Sequence, residues 1–323
     1  MLTSSFGQHL ERITSTLDNE QKTVFNEKIR RYVKHFDSIS INIYDKLIRS
    51  EQERLITWFM KRWLSIDTVS KIEKLEYQSK VKEITSQKAK KITIKNKEYH
   101  TLDLERANLN GRLTTYTWNY CIHDYYYRQY HHEKVKIREN SMIIDAGAFV
   151  GDTALLFSQT YKNPTIHSFE LLDENIELLK INIEDNNVEN VKIYKIALSD
   201  KNNDTVYIKA QTIQGATSIF GAESDEAIKT ITIDQHIKNE NISRIDLIKM
   251  DIEGAERYAL AGAKKTINKY KPTLAICIYH LWDDIIKIPE MINEINPSYN
   301  FSFNWVELNN GWEAVLFAFE GKK

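Results

Sequence analysis

The sequence predicts an α/β protein: a Rossmann-like, mostly parallel sheet that ends in an antiparallel hairpin, preceded by a mainly helical segment. Three observations support this fold class. After residue 141, short β-branched runs alternate with helical patterns of ten or more residues, as in a βαβ series. The last two apolar runs flank Asn309-Asn310-Gly311, a strong turn signal. Before residue 111, apolar residues recur mainly at helical spacing.

The N-terminal segment contains three predicted helices and a hairpin. Apolar residues share one helical face from about Asp18 to His35. A second helix is expected to begin at Ser50, which forms a capping-box pattern with Glu53, and a third covers about 67–85. Alternating residues on both sides of Asn96-Lys97 predict a short hairpin. We therefore expect a mainly helical domain over 1–110 and a Rossmann-like domain over 111–323, which opens with an aromatic-rich lead-in segment.

The second segment contains the predicted sheet. Apolar, β-branched runs predict strands near 142–146, 165–169, 191–196, 245–250 and 273–279. The intervening patterns predict helices near 152–161, 173–185, 255–269 and 283–294. The closing hairpin is expected from 301–308 and 312–319.

Composition narrows the class of protein. With 42% apolar and 28% charged residues, the chain lies in the globular range. Its longest apolar run is far shorter than a membrane span, and its first residues lack the apolar core of a secretory signal, so we expect a soluble, cytoplasmic protein. The two cysteines, Cys121 and Cys277, are too few for a disulfide framework, so we expect free thiols.

The charge distribution is uneven. Residues 1–140 contain 26 Lys and Arg against 18 Asp and Glu, whereas residues 141–323 contain 18 against 27. Because the basic residues alternate with acids along helical patterns, solvated helix faces explain this split better than a nucleic-acid surface. A protein partner or self-association through the N-terminal helices stays open.

The most informative motif covers residues 142–153. A strand ends in Asp145, then Gly147 and Gly151 bracket a tight loop before a helix begins. Glycines let a ligand approach the backbone, and the start of a helix offers N–H groups. A dinucleotide fold needs glycine where this chain has Phe149, and the acids Asp145 and Asp152 suit a cationic ligand such as a sulfonium. A generic strand-to-helix turn is the alternative.

Two further motifs follow predicted strands. Glu170 ends the next strand, where a carboxylate can accept hydrogen bonds from ribose hydroxyls. Lys249, Asp251 and Glu253 alternate at the end of a later strand, so they share one face if the strand continues. The carboxyl ends of parallel strands are where such sheets bind ligands.

Together these motifs closely resemble the FkbM-type S-adenosylmethionine-dependent methyltransferases. The resemblance covers about residues 126–319, and residues 1–110 lie outside it. It depends on motifs in a fixed order: Gln129-Tyr130, the block 144–153, Phe169-Glu170, 197–200, Thr217-Ser218, 232–234, 249–256, and Tyr279-His280 with Asp283, Asp284, Ile288 and Pro289.

The resemblance implies a seven-stranded methyltransferase fold, S-adenosylmethionine as cofactor and a role for each motif. The loop residues that would hold the methionine portion are Asp145, Gly147, Ala148, Phe149, Gly151 and Asp152. Glu170 would bind the ribose, Leu198 and Ser199 would border the adenine, and Tyr130 would close over the cofactor. Asp251 would lie beside the transferred methyl group and His280 would face the acceptor, with Lys249 and Glu253 as further catalytic candidates. No metal site is predicted, although the acids and His280 leave a divalent ion open.

The leading functional hypothesis is therefore a methyltransferase that acts on a hydroxyl of a glycan or other small molecule, with nitrogen acceptors also open. Methylation of nucleic acid is disfavoured, because the chain has no Pro-Pro pair and neither cysteine follows a proline. Two alternatives remain: a non-catalytic partner protein that binds the cofactor, and a Rossmann dehydrogenase, which Phe149 disfavours.

Overall fold

The computed structural model describes residues 3–86, 89–117, 121–210, 217–218 and 226–321, with the backbone alone for 209–210 and 217–218. Trp118, Asn119 and Tyr120 of the aromatic lead-in lie outside the described residues, as do the side chains of the Thr217-Ser218 pair. The chain opens with helices α1 (Ser5–Thr14), α2 (Asn19–Lys28), α3 (Arg30–Val33), α4 (Phe36–Asn42), α5 (Arg49–Leu64) and α6 (Lys71–Thr85).

The structure agrees with the predicted helix start at Asp18 but not with the one at Ser50. Asp18 caps α2 in a capping box with Gln21, but the helix ends at Lys28, so the predicted helix to His35 is divided in two. The capping box predicted for Ser50 was wrong. The α5 helix begins one residue earlier, after Ile48, which has no side-chain cap.

A small antiparallel sheet follows. It contains β1 (Lys90–Ile94), β2 (Lys97–Asp103) and β3 (Arg112–Thr115) in that order, with the short helix α7 (Ile122–Tyr125) after it. Lys95 and Asn96 have positive φ angles, as a tight hairpin turn requires. The predicted hairpin is confirmed, and β3 is an addition that the sequence pattern did not predict.

The elements from Met142 onward include the predicted strands and helices in the predicted order, but the helix predicted near 255–269 is divided in two, and elements that were not predicted lie between residues 197 and 239. They are β4 (Met142–Ala146), α8 (Asp152–Thr160), β5 (Thr165–Phe169), α9 (Asp173–Asp185), β6 (Val191–Tyr194), β7 (Ala197–Leu198), β8 (Thr205–Ala210), β9 (Thr217–Ser218), β10 (Glu226–Ile231), α10 (Ile233–Asn239), β11 (Leu247–Met250), α11 (Glu256–Ala261), α12 (Lys264–Tyr270), β12 (Thr273–Cys277), α13 (Asp284–Ile295), β13 (Tyr299–Trp305) and β14 (Ala314–Glu320).

The main sheet has seven strands in the order β13-β14-β12-β11-β4-β5-β6. The pairs from β12 to β6 are parallel, and β13 pairs with β14 in antiparallel register. This confirms the predicted Rossmann-like, mostly parallel sheet that ends in an antiparallel hairpin. A second sheet, β7-β10-β8-β9, lies between β6 and β11 in the sequence and was not predicted.

The chain forms two compact units. The first contains residues 1–79 and 277–323; within it, α4 packs on α13 and α5 packs on β13, around buried rings such as Trp58, Phe59 and Trp305. The second contains residues 80–276 and includes β4, β5, β6 and β11. Compactness does not show which segment folds independently, so the domain boundary near residue 110 stays a prediction. Among the described residues, no helix combines the length and apolarity needed to cross a bilayer.

Candidate functional site

The loop between β4 and α8 begins and ends with glycines that have positive φ angles. A Cβ atom on Gly147 would lie 1.8 Å from the backbone oxygen of Asp251, and one on Gly151 would lie 3.0 Å from Cγ of Leu179. Both positions therefore require glycine, because L residues rarely adopt this conformation and a neighbour fills the space. These neighbours belong to the protein, so the glycines let the loop pack against the end of β11 and against α9.

The loop N–H groups are bonded within the protein. Gly147 and Ala148 both donate to the Phe169 carbonyl, at 3.0 and 2.9 Å. Phe149 donates to Oε2 of Glu170 at 2.9 Å, and Gly151 donates to the Ala148 carbonyl at 2.8 Å. The sequence suggested a helix start with N–H groups available to a ligand, but at these four positions the donors are used. Such a loop does not offer the cradle of backbone donors that binds a pyrophosphate.

Glu170 lies at the carboxyl end of β5 and is only 7% exposed. Its Oε1 accepts hydrogen bonds from the N–H groups of Leu171 and Leu172, at 2.7 and 2.9 Å. Burial raises the pKa of this carboxyl, and the hydrogen bonds from the backbone and from the Asn175 side chain oppose that rise. The backbone thus holds the carboxylate in one orientation.

Phe149 is held in a strained conformation. Its φ of 45° is in the left-handed region, which costs an L residue about 1–2 kcal/mol. This conformation is compatible with the hydrogen bond from the Phe149 N–H to Glu170. Strain of this kind persists where the surrounding structure enforces it, and it is common at binding sites.

Asp145 and Lys249 form a buried ion pair beneath the loop. Their side chains are 0% and 2% exposed, and Nζ of Lys249 lies 3.2 Å from Oδ1 of Asp145. The hydroxyl of Thr153 donates to the other carboxylate oxygen at 2.7 Å. Lys249 also donates to the carbonyls of Gly147 and Ala146, at 2.5 and 3.3 Å. These contacts favour a structural role for Lys249, which ties the end of β4 to β11.

Asp152 begins α8 and is buried, with 4% of its surface exposed. Burial raises the pKa of its carboxyl, and a hydrogen bond with the Asp124 side chain partly opposes this. The Tyr125 hydroxyl donates to the Asp152 carbonyl at 3.0 Å. The side chain of Asp152 therefore contacts α7, an element that no sequence motif had linked to the loop.

Asp251 lies just beyond β11. Its backbone N–H donates to the Ala146 carbonyl at 3.0 Å, and its Oδ2 accepts a hydrogen bond of 2.6 Å from the Tyr130 hydroxyl. The Gln129 amide donates in turn to the Tyr130 oxygen at 3.2 Å. The structure thus brings the predicted residues Tyr130 and Asp251 into contact, although they are far apart in sequence.

Glu253 does not continue the alternation that the sequence suggested. The β11 strand ends at Met250, and Glu253 has a φ of 55°, so the backbone has left the extended conformation. The nearby Glu256 side chain accepts a hydrogen bond of 2.8 Å from the Ile252 N–H. Lys249, Asp251 and Glu253 therefore do not share the face of one continuous strand.

Leu198 and Ser199 lie at the end of β7, where they are 5% and 8% exposed. The Ser199 N–H donates to the Ile231 carbonyl at 3.0 Å, which extends the parallel pairing of β7 with β10. The Ser199 hydroxyl donates to Asp200 at 3.2 Å. These contacts fix the backbone at the predicted adenine edge.

His280 belongs to the other compact unit, in the loop that follows β12. Its ring lies 4.2 Å from that of Tyr279, centroid to centroid. Two hydrogen bonds from the Arg62 guanidinium, at 2.8 and 3.1 Å, hold the Tyr279 carbonyl, and the Tyr32 hydroxyl holds the Trp282 carbonyl at 3.0 Å. The N-terminal helices α3 and α5 therefore support the loop that carries His280, a link that no sequence motif indicated.

Comparison with known proteins places this chain in a family. The sequence profile described as "Methyltransferase FkbM domain" matches residues 145–316, more than half of the chain. A search of curated proteins found no match.

Several solved structures are similar. The crystal structure of methyltransferase FkbM from Methylobacillus flagellatus KT is 16% identical with a TM-score of 0.58, and the match covers 90% of this chain and 60% of that one. This chain thus spans less than two thirds of that protein, and at this identity the likeness shows the fold alone. Fibrillarin from Aeropyrum pernix in complex with S-adenosyl-L-methionine has a lower TM-score of 0.39 at 9% identity, and the match covers 73% of this chain and 85% of that one. Precorrin-6y C5,15-methyltransferase from Geobacter metallireducens GS-15 has a TM-score of 0.38 at 11% identity, and the match covers 58% of this chain and 84% of that one.

Proposed function

This chain belongs to the FkbM methyltransferase family, and we propose that it transfers a methyl group from S-adenosylmethionine to a hydroxyl of a glycan or another small molecule. The observation that carries the proposal is the family match over residues 145–316, which includes every proposed cofactor contact except Tyr130. Family membership argues against the dehydrogenase alternative. A non-catalytic cofactor-binding role and an amine acceptor remain possible outcomes of the test.

The residues around the β4–α8 loop fit a cationic cofactor. The side chains of Asp145, Asp152, Glu170 and Asp251 are all acidic, and the ammonium of Lys249 is bonded to Asp145 and to two carbonyls. Because the loop N–H groups at 147–149 and 151 are bonded internally, an anionic ligand would find few donors there. S-adenosylmethionine is a sulfonium cation that would supply an electrophilic methyl group when bound.

We assign the proposed cofactor contacts as follows. Glu170 binds the ribose, Leu198 and Ser199 border the adenine, and Tyr130 covers the cofactor. The loop positions Asp145, Gly147, Ala148, Phe149, Gly151 and Asp152 surround the methionine portion. Asp145 contributes through the buried pair that shapes this loop.

On the acceptor side we propose that His280 removes the proton of the attacking hydroxyl. A neutral imidazole is a competent base near pH 7, and a well-placed base is worth about 10²–10⁴-fold in rate. Asp251 follows the carboxyl end of β11 and His280 follows that of β12, its parallel neighbour. Glu253 remains a candidate base, whereas we expect Lys249 to position the loop.

We further propose that the N-terminal helical segment serves acceptor or partner recognition. Arg62 and Tyr32 already hold the loop that carries His280. The segment can therefore influence the position of the loop that carries His280, the proposed acceptor-side base, without taking part in cofactor binding.

The decisive experiment is transfer of a labelled methyl group from S-adenosylmethionine to a panel of sugars, other alcohols and amines, with S-adenosylhomocysteine binding measured by calorimetry. His280→Ala should lower turnover about 10²–10⁴-fold with nearly unchanged binding, and Asp251→Asn should impair both. Binding without transfer to any acceptor would favour the non-catalytic alternative. No binding would refute the proposed function.

A further inference from the structure

The small sheet β1-β2-β3 precedes the family match, yet its side chains approach the partners of Glu170. Tyr116 follows β3, and its carbonyl lies 2.7 Å from Nδ1 of His100 on β2. Its hydroxyl donates to Oδ1 of Asn175 at 2.8 Å, and Asn175 is completely buried. The side chain of Asn175 hydrogen bonds to Glu170. A single residue, Asn175, thus links the Tyr116 hydroxyl by hydrogen bonds to Glu170, the proposed ribose ligand.

A second route links the same tyrosine to Glu170. The ring of Tyr116 stacks on that of Phe149, with centroids 5.7 Å apart and planes 29° from parallel. Phe149 has a positive φ, and its N–H donates to the second carboxylate oxygen of Glu170. The stacked ring packs on the side chain of this strained residue, and so helps to keep its N–H directed at the carboxylate.

The rest of the sheet holds Tyr116 against α9. The ring of Tyr99, on β2, lies 5.6 Å from that of Tyr116, and its hydroxyl donates to Glu174 at 2.7 Å. Lys97 pairs with the other oxygen of Glu174 at 2.5 Å. Burial raises the pKa of Tyr116, so its phenol stays a neutral donor across the physiological range.

From this geometry we infer that Tyr116 is a positioning residue for cofactor binding, acting on Glu170 through Asn175 and through Phe149. The inference rests on the proposed function, since it takes Glu170 as the ribose ligand. It assigns a residue that precedes the family match to the proposed cofactor site.

The test is a double-mutant cycle on S-adenosylhomocysteine affinity, measured by calorimetry on the full chain with Tyr116→Phe, Glu170→Gln and the double variant. Tyr116→Phe keeps the stacked ring and removes only the hydroxyl. We expect it to weaken binding about tenfold, equivalent to about 1.4 kcal/mol. Because the hydroxyl acts through Glu170, the double variant should bind no more weakly than Glu170→Gln alone.

Tyr99→Phe is the matched control, because the phenol hydroxyl that it removes donates to Glu174 on α9 and not to Asn175. It should bind S-adenosylhomocysteine as the parent does. Thermal melting of every variant shows whether the fold is retained. Parent-like affinity in Tyr116→Phe, additive losses in the double variant, or an equal loss in Tyr99→Phe would overturn the inference while leaving the proposed function intact. If the parent protein bound no S-adenosylhomocysteine, both would fall together.

Discussion

Stability at acid pH should depend on a buried histidine pair. Nδ1 of His167, on β5, lies 2.8 Å from Nε2 of His236, on α10, and the two side chains are 1% and 2% exposed. The rings of Phe169 and Tyr194 pack around them. One ring must donate the shared hydrogen bond and the other must accept it, so a doubly protonated pair would lose the bond.

The size of the effect follows from the pKa values. Burial is the main cause that lowers the pKa of each histidine from 6.5 to about 4. Since the unfolded chain binds protons at higher pH than the folded chain does, the pair's contribution is fully present above about pH 6.5. It is lost as pH falls toward 4, by about 3 kcal/mol for each histidine at 1.36 kcal/mol per pKa unit.

The assay is urea unfolding followed by far-UV circular dichroism at pH values from 7.5 to 4. The double variant His167→Asn/His236→Gln removes both titrating groups but keeps polar side chains in their place. Its free energy of unfolding should fall less steeply below pH 6.5 than that of the parent, by about 1.4 kcal/mol per pH unit for each proton. The exposed His131→Gln is the control for removal of a histidine outside the buried pair. An identical pH dependence in the parent and the double variant would refute the reasoning.

Three further predictions concern the loop and its supports. Gly147→Ala should lower the free energy of unfolding by at least about 2 kcal/mol in urea titrations, because the φ of Gly147 is 79° and the new Cβ would lie 1.8 Å from a backbone oxygen. An unchanged urea midpoint of unfolding would contradict this prediction. Lys249→Met should destabilise by about 3–5 kcal/mol by leaving the Asp145 carboxylate buried without its partner, and adding Asp145→Asn should recover part of the loss. Arg62→Lys removes the pair of guanidinium hydrogen bonds to the Tyr279 carbonyl. It should lower kcat in the methyl-transfer assay and leave the S-adenosylhomocysteine affinity unchanged. A loss of affinity with unchanged kcat would contradict this prediction.

The main sheet could be predicted because its signals are local. Each of its strands is a short apolar run, and the observed bounds, such as Thr165–Phe169 and Leu247–Met250, lie within a few residues of the predicted ones. The strands that were missed have weaker signals. β3 has four residues and β7 has two, and β8 and β10 include exposed polar residues such as Tyr207 and Lys229, so pattern and length cannot separate these strands from loops.

The chemistry of the site was harder to predict, because residue type does not reveal which atoms the protein itself satisfies. The motif around Gly147 and Gly151 suggested backbone donors for a ligand, but the Phe169 carbonyl and the Glu170 carboxylate accept several of those bonds. Lys249 was a catalytic candidate by sequence alone. Its carbonyl partners lie more than 100 residues earlier in the chain, so only the folded structure could reveal its place beneath the loop.

The first compact unit contains segments from both ends of the chain. It combines residues 1–79 with 277–323, so helices from one end of the chain pack with the hairpin from the other. Arg62 holds the carbonyl of Tyr279, 217 residues later in the sequence. The family match begins at residue 145 and therefore includes the loop that carries His280 but not the side chains that support it. We therefore expect a change at Arg62 or Tyr32 to alter the support of the loop that carries His280.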